Sequence, residues 1–435
     1  MTDVLLAKSP VKDPVADTHP WASPPLIPLY AASVLREKGY KTSFIDFNVA
    51  GGFKRKRLER ILEKEKPRVV GVFTGTEEYL NALDITKYIK GKNSEIKTFL
   101  SGPHPTAMYN EVLKQPTVDF CVRGEGEYAI LELVDAINNK STSEYTEIKG
   151  VALKKNGDLI SNPPNPPQKN TELPYPSRDL APMKFYDFPG IVRTAWGGCP
   201  NNCSFCNVPT YRGRDYFARD PIDILKEIER LLFSYQHIRV IKFMDDTFSI
   251  DKDKLYELTD GLKKISPPFG WKWTFTTRVD KLTKKMAKEV SEAGCSTILV
   301  GAESGSQRIL DSINKGIQKN EILEAVKKVI NEGMDINVTF MYPLPEDTAE
   351  TIKETINFMK KLKDLGANLI LDFTTPYPGT PLYENSEELG IKILADSWEE
   401  YDAKHLLITS RYLDEKNLKK HFKKLVSEVG LNKMI

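Results

Sequence analysis

The stretch Gly197-Gly198-Cys199-Pro200-Asn201-Asn202-Cys203-Ser204-Phe205-Cys206 decides the reading of this chain. Its three cysteines stand in a C-x3-C-x2-C spacing. A tight turn carrying three thiolates holds three irons of a [4Fe–4S] cube and leaves the fourth iron open. The plainer readings are a zinc site and a disulfide. Zinc prefers four ligands, commonly two C-x2-C pairs. The other cysteines, Cys121 and Cys295, lie in distant apolar stretches that read as strand core. Five cysteines in 435 residues make no disulfide framework.

Outward from this loop the chain alternates apolar blocks with helical patterns. Downstream, strands are expected at 191–194, 240–244, 272–276, 297–300, 337–340 and 369–373, with helices between them. Six βα units of this spacing predict a partial (βα)6 barrel over residues 191–385. In such a barrel the functional groups stand at the carboxyl ends of the strands. Those ends carry the cysteine loop, Met244-Asp245-Asp246, Thr277-Arg278, Gly301-Ala302-Glu303-Ser304, Tyr342-Pro343 and Pro376-Tyr377-Pro378. A short helical extension is expected over 386–435. Upstream, residues 1–149 alternate in the same way and predict a doubly wound, Rossmann-like parallel sheet, whose ligands bind at carboxyl strand ends. Its turns are Thr74-Gly75-Thr76, Ser101-Gly102-Pro103-His104 and Arg123-Gly124-Glu125-Gly126. Between the two halves, 150–190 reads as a hairpin around Asn156-Gly157 followed by a proline-rich linker.

The cysteine loop resembles the signature of the radical S-adenosylmethionine superfamily. The turns of both halves resemble those of its cobalamin-binding branch, over nearly the whole chain. The resemblance implies three cofactors: a [4Fe–4S] cluster on Cys199, Cys203 and Cys206, S-adenosylmethionine on the open iron, and cobalamin carried as methylcobalamin. It implies that Phe205 lies beside the adenine, Glu303 meets the ribose hydroxyls and Arg278 pairs with the carboxylate. Asp245, Asp246 and Ser304 would face the same pocket. Where Tyr342 stands the family often has a small residue, so the tyrosine either narrows the substrate pocket or packs. For cobalamin the resemblance implies contacts from Thr74, Gly75, Thr76, Tyr79, Gly102, Pro103, His104, Gly124, Glu125 and Gly126. A related fold supplies an axial histidine from D-x-H-x-x-G. Here Asp17-Thr18-His19-Pro20-Trp21-Ala22 has alanine at the glycine position. We therefore expect a cobalt without histidine, its lower face against a side chain such as Trp21 or Tyr79.

The reaction this implies is methylation of an unactivated carbon in a protein or peptide, with a flavodoxin- or ferredoxin-type electron donor. A ring-forming or oxidative radical enzyme is the second reading. A methylthiotransferase would need more N-terminal cysteines than Cys121 alone. An iron–sulfur carrier or redox sensor would not need six furnished strand ends. Composition adds exclusions: 62 Lys+Arg against 60 Asp+Glu gives +2, which offers nucleic acid no bulk attraction. No window is apolar enough to span a membrane, and no secretory leader is read at Met1. A cytoplasmic monomer is expected.

Overall fold

The computed structural model describes residues 2–11, 22–49, 54–138, 144–163, 173–265 and 269–431. It divides into two compact units. The first comprises Met1–Pro189 with Asn207–Asp215; the second comprises Gly190–Cys206 with Tyr216–Ile435.

The first unit runs β1 (Val4–Lys8), α1 (Leu26–Glu37), β2 (Thr42–Asp46), α2 (Arg55–Glu65), β3 (Val69–Phe73), α3 (Tyr79–Lys92), β4 (Lys97–Ser101), α4 (Pro103–Ala107), α5 (Tyr109–Val112), β5 (Phe120–Val122), α6 (Glu127–Asn138), β6 (Val151–Lys155) and β7 (Asp158–Ser161). The strand order is β2-β1-β3-β4-β5-β6-β7. Strands β1 to β5 pair in parallel, so apolar residues are wanted on both faces, and every residue of β3 is buried.

The hairpin departs from expectation. Asn156 (φ 54°) and Gly157 (φ 93°) make the left-handed two-residue turn that their types favour. However, β6 then pairs antiparallel with β5, Val151 opposite Val122, so the hairpin extends the first sheet. The segment 173–187 is held to the same unit by side chains. Ser33 Oγ bonds to Tyr175 O and Ser177 Oγ at 2.7 and 2.8 Å, Arg36 pairs with Asp179, and the Tyr186 hydroxyl donates to Asp46 at 2.9 Å. The prolines give this region a linker's composition, but its flanking polar side chains dock it.

The second unit begins with β8 (Ile191–Val192) and β9 (Ala195–Gly197). After α7 (Val208–Arg212), which belongs to the first unit, come β10 (Tyr216–Ala218), α8 (Pro221–Ser234), β11 (Val240–Phe243), α9 (Lys252–Leu262), β12 (Lys272–Thr277), α10 (Lys284–Glu292), β13 (Cys295–Glu303), α11 (Gln307–Ser312), α12 (Lys319–Asn331), β14 (Asp335–Tyr342), α13 (Ala349–Asp364), β15 (Asn368–Phe373), α14 (Pro381–Glu384) and α15 (Glu415–Val429). Six strands form an all-parallel sheet in the order β15-β14-β13-β12-β11-β8. The barrel helices start at caps written in the sequence: Asp220, Asp251, Thr283 and Thr348 each accept from a first-turn N–H. One face of the sheet is apolar and fully packed, with Trp273, Phe275, Ile298, Val300, Val338 and Phe340. The alternate residues Thr274, Thr276, Thr297, Leu299, Asn337 and Thr339 are only half buried, which gives the open face a lining that is polar apart from Leu299.

Two expectations are revised here. The first barrel strand ends at Val192, because the Thr194 N–H is taken by the Asp245 carboxylate and not by a neighbouring strand. The extension is helical only in α15; residues 386–414 are irregular apart from one 3-10 turn and an isolated Ile393–Ile408 bridge. Tyr342 packs. Its hydroxyl donates to Leu418 O at 2.7 Å and its ring meets Phe373 and Phe422, anchoring α15. Among the described residues no helix is long and apolar enough to cross a membrane.

Candidate functional site

The cysteine loop is fixed at both ends. Trp196, on β9, lies against the guanidinium groups of Arg193 and Arg219, 4.7 and 5.4 Å from its ring. Arg219 is itself buried and paired with Glu227 at 2.8 Å. Beyond the first cysteine, Cys206 N donates to Cys203 O, closing the tight turn that the spacing demands. Ser204 N donates to Ile313 O at 3.0 Å, and Leu382 N donates to Ser204 O at 2.9 Å. Phe205 is wedged between two apolar clusters, Ile309-Ile313-Leu344 and Leu382-Ile391-Ile408. The Lys315 ammonium lies 5.7 Å from its ring centre.

Side chains from three directions reach the cysteines. Asn201 Nδ2 donates to Cys199 Sγ at 3.1 Å, and the Thr247 hydroxyl lies 3.9 Å from the same sulfur. Arg278 Nη1 donates to Cys203 Sγ at 3.8 Å. Burial pushes the Cys203 thiol up, while the Lys315 and Arg278 cations pull it back toward the thiolate. At the end of β13 the register shifts between Gly301 and Glu303, and Glu303 takes φ 63°. Bulges and left-handed non-glycine residues concentrate at functional sites, where neighbours hold the strain. The neighbour here is Lys315, whose Nζ lies 2.5 Å from Glu303 Oε1 in a pair almost closed to solvent. Gly301 makes room for that pair: a Cβ on it would stand 2.2 Å from Glu303 Oε1 and 2.8 Å from Lys315 Nζ. Asp372, at the end of β15, feels both burial and the Glu303 charge, and both raise its pKa.

Some expected site residues are placed elsewhere. Ser304 is buried, with Oγ 3.1 Å from Thr355 Oγ1 of α13, so it serves helix packing. Asp245 and Asp246 do not share a pocket. Asp245 is buried on the Thr194 N–H at 3.0 Å, and Asp246 is exposed. Arg278 has little left for a carboxylate. Nε donates to Asp280 at 2.9 Å, Nη2 to Lys315 O at 2.8 Å and Nη1 to the sulfur. Lys315 and Asp372 join the site with no motif in the sequence to mark them.

In the first unit, register aligns Phe73 with Ser101 and Ser101 with Val122, so the three glycine turns lie side by side at one sheet edge. Gly102 has φ 121°, and a Cβ on it would stand 2.4 Å from Thr74 O. Thr106 Oγ1 donates to Gly102 O and accepts from Gly124 N, linking two of the turns. Glu78, close behind Thr76, accepts from Gly75 N at 2.8 Å and pairs with Lys8. Tyr79 stacks on His104 with ring centres 4.2 Å apart, both buried. Burial pushes the imidazole down to about 3, so it is neutral. Pro103 opens α4, and Glu125 lies 3.8 Å from Arg212 Nε of the segment after Cys206. Asp17, His19 and Trp21 lie outside the described residues.

Comparison with known proteins accounts for both units. The sequence matches the radical SAM superfamily over residues 195–359 and the B12 binding domain over residues 21–134. It is similar to an uncharacterized methyltransferase of Pyrococcus horikoshii, 32% identical over 403 residues, covering 92% of this chain and 86% of the relative. The chain belongs to the cobalamin-binding radical S-adenosylmethionine enzymes. A second relative of this radical SAM enzyme is the anaerobic magnesium-protoporphyrin IX monomethyl ester cyclase of Rubrivivax gelatinosus, 28% identical over 87% of this chain and 68% of its own length. The fold is that of the cobalamin-dependent S-adenosylmethionine radical enzyme OxsB, solved with aqua-cobalamin and S-adenosylmethionine (TM-score 0.78, 19% identity). That likeness covers 97% of this chain, which spans 66% of the OxsB chain.

The cofactors of this radical SAM enzyme are thus a [4Fe–4S] cluster, S-adenosylmethionine and cobalamin. The residues present fit them. For the cluster there are three half-exposed thiols with two cations beside one of them. Among the described residues no group of three His, Cys, Asp or Glu side chains closes on a single metal ion. For cobalamin there is the buried Ser101 hydroxyl beside Gly102, which has no hydrogen-bond partner among the described residues. Such a group is retained where a ligand satisfies it.

Proposed function

We propose that this radical SAM enzyme methylates an unactivated carbon of a protein or peptide. The observation that carries the reading is that Glu303, Lys315 and Arg278 stand close to Cys203 and Cys199 at the barrel strand ends, with Cys206 on the same tight turn, on a chain that also holds a B12-binding unit. Bound here, the cluster with S-adenosylmethionine supplies a 5′-deoxyadenosyl radical, and methylcobalamin supplies methyl to the carbon radical that hydrogen abstraction leaves. The three cysteines hold three irons. Glu303 receives the ribose hydroxyls, Phe205 flanks the adenine, and Lys315, beside both, takes the carboxylate. The nucleotide tail of cobalamin lies along Thr74, Gly102 and Gly124, with Ser101 Oγ as one of its hydrogen-bonding partners. A one-electron donor of the flavodoxin or ferredoxin type reduces the cluster. The lining of Thr274, Thr276, Thr297, Asn337 and Thr339 supports a polar substrate, because it offers hydroxyl and amide groups to one.

The test is anaerobic turnover with methyl-deuterated S-adenosylmethionine and an extract fractionated into protein, peptide and small-molecule pools. Methyl transfer yields 5′-deoxyadenosine and S-adenosylhomocysteine together, with label in the protein or peptide pool. 5′-Deoxyadenosine without S-adenosylhomocysteine would favour the ring-forming reading that the cyclase relative supports. Label confined to small molecules would remove the protein substrate.

Gly301→Ala probes the pocket with the fold intact. The nearest atoms to the added methyl are Glu303 Oε1 and Lys315 Nζ, so the buried pair is displaced at some cost in melting temperature, while circular dichroism should match wild type. We expect S-adenosylmethionine to bind about tenfold more weakly, roughly 1.4 kcal/mol, by calorimetry on the iron-loaded protein. Unchanged affinity would separate the pair from the binding site.

A further inference from the structure

We propose that Arg278 is a positioning residue that sets the reduction potential of the cysteine-bound cluster, through its N–H···S bond to Cys203. The proposal rests on the cluster assignment to Cys199, Cys203 and Cys206.

The guanidinium is built to stay where it is. Its side chain is buried, and three groups besides the sulfur hold it: Asp280 at Nε, and the Lys315 and Gly316 carbonyls at Nη2, at 2.9, 2.8 and 3.4 Å. Those partners fill the fork on two sides and leave Nη1 aimed at Cys203 Sγ, 3.8 Å away. Arginine does not give up its proton, so this donor is present at every working pH. A carboxylate clamp would need a free fork face, and the face that remains belongs to the cysteine.

The sign follows from charge. With three thiolates the oxidised cluster carries one net negative charge and the reduced cluster carries two. A hydrogen bond or a cation at a ligating sulfur favours the more negative state, so it raises the potential of the 2+/1+ couple. Asn201 makes the same kind of contact to Cys199 at 3.1 Å, but as a neutral donor. Charged donors give the stronger bond, so Arg278 should move the couple further than Asn201. The titrant, Ti(III) citrate, supplies the single electron.

The experiment uses the full chain, reconstituted anaerobically, without S-adenosylmethionine. Iron and sulfide content report whether a cluster is present; the midpoint potential, followed by EPR, reports the effect of Arg278. Wild-type iron content is expected in Arg278→Gln and Arg278→Met, with midpoints more negative than wild type and the Met variant lowest. Asn201→Leu should shift in the same direction by less. Full iron with unmoved midpoints in both Arg278 variants overturns the proposal. Loss of iron from both also overturns it, because Arg278 would then be a scaffold of the loop and not a tuner of a formed cluster. Absence of iron from the wild-type chain would instead sink the cluster assignment.

Discussion

Replacing Cys199, Cys203 and Cys206 together by alanine is expected to take the iron content of the reconstituted chain from about four per molecule to none. The reduced-cluster EPR signal and all 5′-deoxyadenosine formation should vanish with it. The fold should survive, because the loop is held by backbone bonds and not by its thiols. Ser204 keeps its bonds to Ile313 and Leu382, and Phe205 keeps its apolar seats. Circular dichroism and cobalamin loading therefore serve as controls and should match wild type. Single replacements are expected to lose activity as completely, since a cube held by two thiolates exposes a second iron and is easily lost. A triple variant that retains about four irons would end the assignment.

The second large effect is expected at Gly102. Valine there meets two obstacles at once. The backbone at φ 121° is a conformation that a β-branched residue rarely adopts, at a cost of about 1–3 kcal/mol. Its Cβ would also stand 2.4 Å from Thr74 O, a backbone atom that cannot swing aside. The turn after β4 must then move away from the turn after β3, where the cobalamin tail is proposed to lie. Cobalamin retained after gel filtration should fall at least about tenfold, with iron content unchanged. Gly39→Ala is the control: its φ is 88°, but nothing lies within 4 Å of the added methyl. That variant should lose some stability and no cobalamin. Equal loading of Gly102→Val and wild type would place the tail elsewhere.

Much of this is legible in the sequence because parallel strands are apolar blocks that end in glycine, proline or polar turns. Cys199 to Cys206 stand out by their spacing, and Glu303, the last residue of β13, by its place in a turn that resembles the family's. The failures have local causes. Ser304 follows Glu303 directly, but the chain turns there, with Glu303 left-handed and Ser304 N bonded to Ala302 O, so its hydroxyl goes to Thr355 of α13. Lys315 reads as one lysine among many. Its burial depends on the bulge at Gly301–Glu303 that turns a carboxylate toward it, and no periodicity encodes a bulge. The charge of Arg278 suggests a ligand carboxylate; in the structure Asp280 takes Nε, and the loop carbonyls of Lys315 and Gly316, remote in sequence, take Nη2. The hairpin at Val151–Ser161 carries its turn signal openly, while its partner strand depends on which sheet edge is free.

The seat of Phe205 has a consequence for how the protein is made. Half of it comes from Leu382, Ile391 and Ile408, which are synthesised about 200 residues after the last cysteine. At about 5–20 residues per second that is a delay of roughly 10–40 s. Through that interval the nascent chain presents three thiols on a loop whose backing does not yet exist. Iron delivered during synthesis would meet an unfinished cradle, whereas iron delivered after release meets a finished one. Timing of metal supply, and not only its amount, should therefore govern how much active protein a cell or an expression host recovers.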